Sequence, residues 1–248
     1  VGGDATGSGE RRTGEPDEAA ERTHGRPPRR RHLVLGVLDL VPVLVVAIAF
    51  GLPALDATFP PPTALSPPST LVVDRDGRLL RAFTDANGRW RLPVALADVD
   101  PNFVRWLVGY EDRRFYAHGG VDARAAARAA LQAVRNARVV SGASTLTMQT
   151  VRLLTAERRR TADRKIVEAM RAIQLERRLS KDAILSLYLD AAPYGGNIEG
   201  VRAASLTYFG REPARLTLAE AALLIALPQS PESRRPDRNP AAARAARD

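Results

Sequence analysis

The sequence predicts a mainly α-helical domain with a small β element at its front, preceded by one transmembrane helix. Three observations predict it. Residues 33–52, LVLGVLDLVPVLVVAIAFGL, are a largely apolar run directly after a basic cluster. Short apolar segments flank Asp76-Gly77, a hairpin signal. From Asn102 to the C-terminus, apolar residues recur at helical spacing, punctuated by capping residues.

Taken in order, residues 1–32 are rich in Gly, Arg, Glu and Pro and almost free of large apolar side chains. Such a stretch buries too little surface to offset chain entropy, so a disordered tail is expected. It ends in Arg26, Arg29, Arg30 and Arg31. Residues 33–52 match the hydrocarbon thickness of a bilayer. The arginines before them place the tail in the cytoplasm and everything after the helix outside. Asp39 and Pro42 weaken this reading, because a carboxylate in lipid is expensive unless it reaches the interface or stays protonated. A cleaved signal peptide is the alternative, although the run is long for one and no compelling small-residue cleavage site follows.

Residues 53–70 form a linker, Pro-rich in FPPPTALSPPST (59–70) and therefore extended and stiff enough to hold a domain off a membrane. Residues 71–98 form the β element: two strands in LVVDRDGRLLRAF and a candidate third in WRLPVAL. Residues 99–248 form the helical domain. Val121–Arg135 is Ala-rich and amphipathic, and Ser144 or Thr145 caps a helix running through Leu154. Arg164–Leu179 is a long helix, and Ser180 caps Asp182–Leu189. Thr217 and Glu220 have capping-box spacing before AALLIAL. The final AAARAARD reads as a helix cut short.

The formal charge of the 248-residue chain is +9, which points to a polyanionic partner: nucleic acid, phospholipid headgroups or a phosphorylated substrate. Nucleic acid is the weakest of these, because zinc-finger spacing and an aromatic RNA-binding signature are both missing and aromatic content is 5%. With no cysteine, a disulfide framework and thiol chemistry are excluded. The basic residues are almost all arginine; the lysines are Lys165 and Lys181.

Two acidic positions stand out. Glu111 lies in YEDRRFYAHGG, where Asp112, Phe115, His118 and Gly119 crowd beside it. A carboxylate next to aromatic groups at the mouth of a helical bundle suits proton transfer. The bland alternative is a solvated acidic turn in which Asp112 caps a helix and Phe115 is core. Glu168 lies in RKIVEAM, with Arg164, Lys165 and Arg171 at helical spacing on one side. This is either an exposed, ion-paired helix or a carboxylate set in a cationic strip that holds phosphate. A third element, SGASTLTMQTVRLL (141–154), supplies a flexible Gly142, the neutral hydrogen-bonding groups of Ser144, Thr145, Thr147 and Gln149, and Arg152 further along. A polar helix start suits a sugar or a phosphate, and it also suits a plain N-cap.

The order of these blocks is more specific than any one of them. E-D-x-x-F-x-x-H-x-G at Glu111–Gly120, G-x-S-T-L-T-x-Q at Gly142–Gln149 and R-K-x-x-E at Arg164–Glu168 are followed by SKDAILSLYLDAAPYGGNIEGVRAASLTYFG (180–210) and LTLAEAALLIALPQSP (216–231). Over roughly residues 66–248 the chain resembles the glycosyltransferase family 51 domain of bifunctional penicillin-binding proteins. Its details are nearest to the 1C branch: DRDGRLLRAF with GRWRLP upstream, Met148 where most relatives have Gln, and PYGGNIEGVRAAS. It departs from the family pattern at Gly119 (usually Pro), Asp190 (commonly Asn) and Arg152 (often Lys).

The resemblance implies a lysozyme-like helical fold and polymerisation of lipid II, a disaccharide-pentapeptide on undecaprenyl diphosphate, with inversion at the anomeric carbon. It implies Glu111 as general base, with Glu168 orienting the basic strip or holding a cation or the donor. Arg152, Arg164 and Lys165 would neutralise the diphosphate. Asp112, Phe115, His118, Arg128, Ser144, Thr145 and Gln149 complete the substrate-binding set, and Lys181 would support a helix start. A divalent cation, Mg or Mn, is left open. The implied partners are lipid II, the growing lipid-linked glycan, the membrane, other cell-wall synthesis proteins and moenomycin-type inhibitors, and the implied location is the outer face of the bacterial cytoplasmic membrane. S-x-x-K and K-T-G motifs are missing, so no transpeptidase activity is expected of this chain. A glycan hydrolase of the same fold and a non-catalytic membrane-anchored scaffold are the competing readings.

Overall fold

The computed structural model describes residues 56, 58, 60–136, 144–155 and 161–248. The expected tail (1–32), the apolar run (33–52) and Gly142 lie outside them. Among the described residues no helix is long and apolar enough to cross a membrane. What they form is mainly helical, with small sheets.

Strands β1 (Leu71–Val73) and β2 (Leu79–Ala82) pair antiparallel, Leu71 opposite Ala82. Asp74 builds the turn: its Oδ1 accepts the N–H groups of Asp76 and Arg78, both at 2.9 Å. Gly77 takes φ 78°, a left-handed conformation that costs glycine little. The same device recurs at Asp85, whose Oδ1 accepts from Asn87 and Arg89 ahead of Gly88. This second turn does not lead back into the hairpin. It delivers β3 (Trp90–Arg91) to a parallel pairing with β4 (Ile198–Glu199) from the helical part. The expected third strand therefore exists but joins a different sheet.

Arg91 locks that junction. It is only 4% exposed, its Nη2 and Nε lie 2.5 and 3.0 Å from Glu199 Oε2, and its Nη1 donates to the Ser66 carbonyl at 3.1 Å. Ser69 donates its N–H to the Arg91 carbonyl and accepts the Arg91 N–H on its hydroxyl. Residues 66–69 of the Pro-rich stretch are thus fastened to the domain.

Helix α1 (Pro101–Glu111) starts at Asp100, whose side chain accepts from Asn102 and Phe103, with proline in the first turn. The other oxygen of Asp100 accepts the Leu216 N–H, which fastens the helix start to a distant loop. Helix α2 (Ala123–Asn136) is capped by Asp122, α3 (Leu146–Leu154) by Thr145 rather than Ser144, and α5 (Lys181–Ala191) by Ser180. Between them lies α4 (Ala162–Glu176). Helix α6 (Val201–Phe209) follows β4, and α7 (Leu218–Ala226) carries the expected capping box of Thr217 and Glu220. Helix α8 (Pro240–Arg247) ends the chain.

One core is shared by these elements. It contains Phe103 and Leu107 of α1, Leu146, Met148 and Val151 of α3, Leu175 of α4, Ile184, Leu185 and Leu189 of α5, and Leu224 of α7. Helix α3 packs against both α4 and α5. Gly120 permits the close approach of the 112–122 turn to α4: its φ is 96°, and a Cβ there would sit 2.6 Å from the Ala172 carbonyl carbon. The carbonyl of Gly120 in turn accepts the Thr145 hydroxyl at 2.6 Å.

Candidate active site

Glu111 and Asp112 are adjacent yet face opposite ways. Glu111 is the last residue of α1. Asp112 has left the helix (φ −156°, ψ 80°), which turns its side chain inward. There its carboxylate accepts from His118 Nε2 at 2.9 and 3.1 Å and from the N–H of Leu146 at 3.0 Å. Phe115 is fully buried, and the His118 and Asp112 side chains are both 5% exposed. The acidic turn therefore serves structure and site at once: Asp112, Phe115 and His118 tie the end of α1 to the start of α3, and both Glu111 and Asp112 border the cleft, with the Asp112 carboxylate already committed to His118 and Leu146.

Glu111 is held by two amides. Its Oε2 accepts from Gln149 Nε2 of α3 at 2.9 Å, and its Oε1 accepts from Gln229 Nε2 at 3.1 Å. It borders a cleft of about 500 Å³ lined by Tyr110, Arg113, Arg114, Arg124, Arg128 and Ser144, together with Asp112 and Asp122, the latter paired with Arg114 at 2.8 Å. Gln149 and Gln229 line a second cleft of about 190 Å³ with Arg152 and Tyr188. Burial first, and the charge of Glu111 second, hold the Tyr188 phenol well above its ordinary range, so it stays neutral.

A charged row joins the two clefts. Arg152 Nε lies 3.0 Å from Glu168 Oε1, and Lys165 Nζ lies 3.6 Å from Glu168 Oε2. Lys165 also donates to the Ser144 hydroxyl. Arg152 borders the second cleft and Ser144 the first, so the row Arg152–Glu168–Lys165–Ser144 runs from one to the other. The Glu168 side chain is 10% exposed, and its Oε2 has no hydrogen-bond partner among the described residues. Arg164 borders a small recess with Glu168 and Arg171 and lies 3.9 Å from Asp163. Thr145 is buried, its hydroxyl committed to Gly120 and to the Met148 N–H.

Lys181 does more than support a helix start. Its ammonium donates to Glu176 at 2.6 Å and to the His118 carbonyl at 2.7 Å, and lies 4.4 Å from the Phe115 ring centroid. Glu176 also accepts the Thr147 hydroxyl at 2.5 Å. This network sits behind the site and underpins it. Gln229 and Arg234 were not legible as site residues. The only signal for Gln229 was membership of the 216–231 block, Arg234 lies beyond that block, and no local pattern links either to Glu111.

Among the described residues no three His, Asp or Glu side chains converge on one point. A divalent cation would therefore draw most of its ligands from substrate phosphates and water, as Mg commonly does.

The helical domain thus presents one amide-held carboxylate between a cleft bordered by several arginines and a second polar cleft, an arrangement that can support acid–base chemistry. The chain belongs to the transglycosylase family: the model described as Transglycosylase matches residues 76–248. It is 47% identical to penicillin-binding protein 1C of Escherichia coli (strain K12) over 210 residues, 85% of this chain and 27% of that protein. It is 36% identical to penicillin-binding protein 1A of Aquifex aeolicus (strain VF5) over 214 residues, 85% of this chain and 29% of that one. To penicillin-binding protein 2D of Bacillus subtilis (strain 168) it is 40% identical over 175 residues, 71% of this chain and 25% of that one. The chain thus spans less than a third of the length of these relatives.

Proposed function

We propose that this domain is a peptidoglycan glycosyltransferase that polymerises lipid II into glycan strands, with inversion at the anomeric carbon and release of undecaprenyl diphosphate. The observation that carries the reading is the placement of Glu111, fixed by Gln149 and Gln229 at the edge of a cleft lined with arginines. Glu111 takes the proton from the acceptor sugar hydroxyl as that oxygen attacks the donor's anomeric carbon. Attack from the face opposite the leaving group inverts that carbon in one step, as in inverting glycosidases.

The leaving diphosphate needs charge neutralisation more than a proton. Arg152 and Lys165, held on either side of Glu168, supply it; Arg164 joins them only if its side chain swings from Asp163 towards the row. Glu168 spaces and orients the two cations. Arg128, Ser144 and Gln149 bind sugar or phosphate oxygens. Asp112, Phe115, His118 and Thr145 shape the site from within. The fold is lysozyme-like, and the run 33–52 anchors the domain on the outer face of the cytoplasmic membrane with the tail inside. Moenomycin-type inhibitors compete for the cleft, and partner enzymes of cell-wall synthesis act beside it.

The test is incubation of the detergent-solubilised chain with labelled lipid II, with and without a divalent cation, and separation of the products by size. A moenomycin-sensitive ladder of strands is expected. Cleavage of preformed glycan with no ladder would overturn the transferase in favour of a hydrolase. A folded chain that neither builds nor cuts glycan would be a binding protein or a domain that needs a further C-terminal part for activity.

A further inference from the structure

Glu111 sits at a helix end with a terminal torsion that is intrinsically broad. One donor leaves its carboxylate free to turn. Two donors from separate elements, one on each oxygen, do not. Gln149 comes from α3, whereas Gln229 comes from the single-turn helix Leu227–Gln229 that follows α7.

The orientation of the Gln229 amide is dictated by its neighbours. Arg234 Nη1 donates to Gln229 Oε1 at 3.2 Å. A guanidinium only donates and a carboxylate only accepts, so an amide between them has a single productive orientation, carbonyl to Arg234 and NH₂ to Glu111. Arg234 is itself placed: Nη1 also donates to the Ala226 carbonyl at the end of α7 at 2.7 Å, and its backbone N–H donates to Ser230. The following residues are wedged against the 194–197 turn. Gly196 donates its N–H to Glu232 at 2.7 Å, and a Cβ on Gly195 would fall 2.5 Å from Arg235 Cγ. The result is a polarised chain from Arg234 through Gln229 to Glu111, met from the other side by Gln149.

We propose that Gln229, oriented by Arg234, is a positioning residue that fixes the Glu111 carboxylate with its unused lone pairs towards the arginine-lined cleft. The proposal rests on the reading of Glu111 as general base. It also accounts for the residue type. A cation at this distance would favour the ionised carboxylate and weaken it as a base. A neutral amide orients it without a direct ion pair and keeps the Arg234 charge one side chain removed.

The test uses the whole chain and three variants: Gln229→Met, Gln229→Glu and Arg234→Met. The readouts are turnover and KM on labelled lipid II, the pH–rate profile, the thermal midpoint, and the Glu111 titration followed by carboxyl ¹³C NMR, assigned by difference with Glu111→Gln. Gln229→Met, which keeps shape but loses the N–H donor, is expected to lower kcat about tenfold with KM within about twofold and no change in thermal midpoint. Gln229→Glu sets a like charge against Glu111 and is expected to raise the Glu111 titration, and the acid limb of the rate profile, by about one pH unit or more. Arg234→Met should reproduce part of the Gln229→Met loss, and the double variant should be no worse than Gln229→Met alone.

A Glu111 titration that Gln229→Glu leaves in place overturns the proposal, whatever the activity. So does a Gln229→Met effect that falls on KM with kcat kept, or one that tracks a lowered midpoint. A wild-type chain that makes no glycan strands overturns instead the reading of Glu111 as base, while the titration still decides whether Gln229 holds it.

Discussion

At Lys181 the ammonium donates to Glu176 and to the His118 carbonyl, lies over the Phe115 ring, and leaves the side chain 19% exposed. At Lys165 the side chain is 43% exposed and meets Ser144 and Glu168 at the edge of the cleft. The same residue type, in a chain otherwise reliant on arginine, serves as an internal tie in one region and as a surface cation in the other. The internal tie suits lysine because a compact point charge on a flexible stem can reach a carboxylate, a carbonyl and a ring face together, whereas a planar guanidinium demands a fork-shaped partner. The surface cation is one that a diphosphate can recruit. One network lies behind the cleft, and on the proposed function the other meets charge that arrives with the substrate.

The experiment with the largest expected effect is Glu111→Gln, which keeps the side-chain volume and removes the base. Turnover should fall by about 10³-fold with circular dichroism and thermal midpoint unchanged. Near-normal strand synthesis by the folded variant would remove Glu111 from the mechanism. Next come the two lysines, which separate the regions directly. Lys181→Ala strands Glu176, whose side chain is 9% exposed, without its cation. It should cost about 3 kcal/mol of stability by denaturant titration, with activity lost only as far as the fold is lost. Lys165→Ala should leave the denaturation midpoint nearly in place and lower turnover about 100-fold. If both variants lost activity in step with stability, the contrast between tie and surface cation would collapse.

The smallest effect is expected at Asp190. Its Oδ1 accepts the Val94 N–H at 3.2 Å, and burial, only partly offset by that bond and by Arg91, pushes its carboxyl up to about 6. A carboxyl raised on folding contributes stability that is complete below its unfolded value, about 3.9, and is lost as pH rises through 6. Asp190→Asn keeps an acceptor for Val94 and removes the buried charge. It should gain about 1 kcal/mol above pH 7 after allowance for solvent screening, with the gain vanishing near pH 4. Thermal melts across that range check it; a gain independent of pH would mean that the charge is not the cause.

Much of the fold was legible. Ser180 and Thr217 cap helices for the local reason that a short side-chain oxygen reaches a free N–H of the first turn. The Asp76-Gly77 hairpin was readable because glycine supplies the left-handed turn residue. The third strand was readable only as a strand, since its partner, β4, lies more than a hundred residues further along the chain. Within the candidate site, the crowding at Glu111–Gly120 singled out a turn at the edge of the cleft but not its division of labour, because the direction of Asp112 depends on the backbone leaving α1.

The sequence by itself determined most of the described helices, several of their caps and the family, since periodicity, capping and motif spacing are local properties written into neighbouring residues. Only the tertiary structure decided that Asp112 is bound to His118 and Leu146 while Glu111 is held by two amides, that Lys181 is an internal tie, and that Gln229 closes on Glu111 across the domain. Those outcomes depend on which surfaces pack together, and packing couples residues that no local pattern connects.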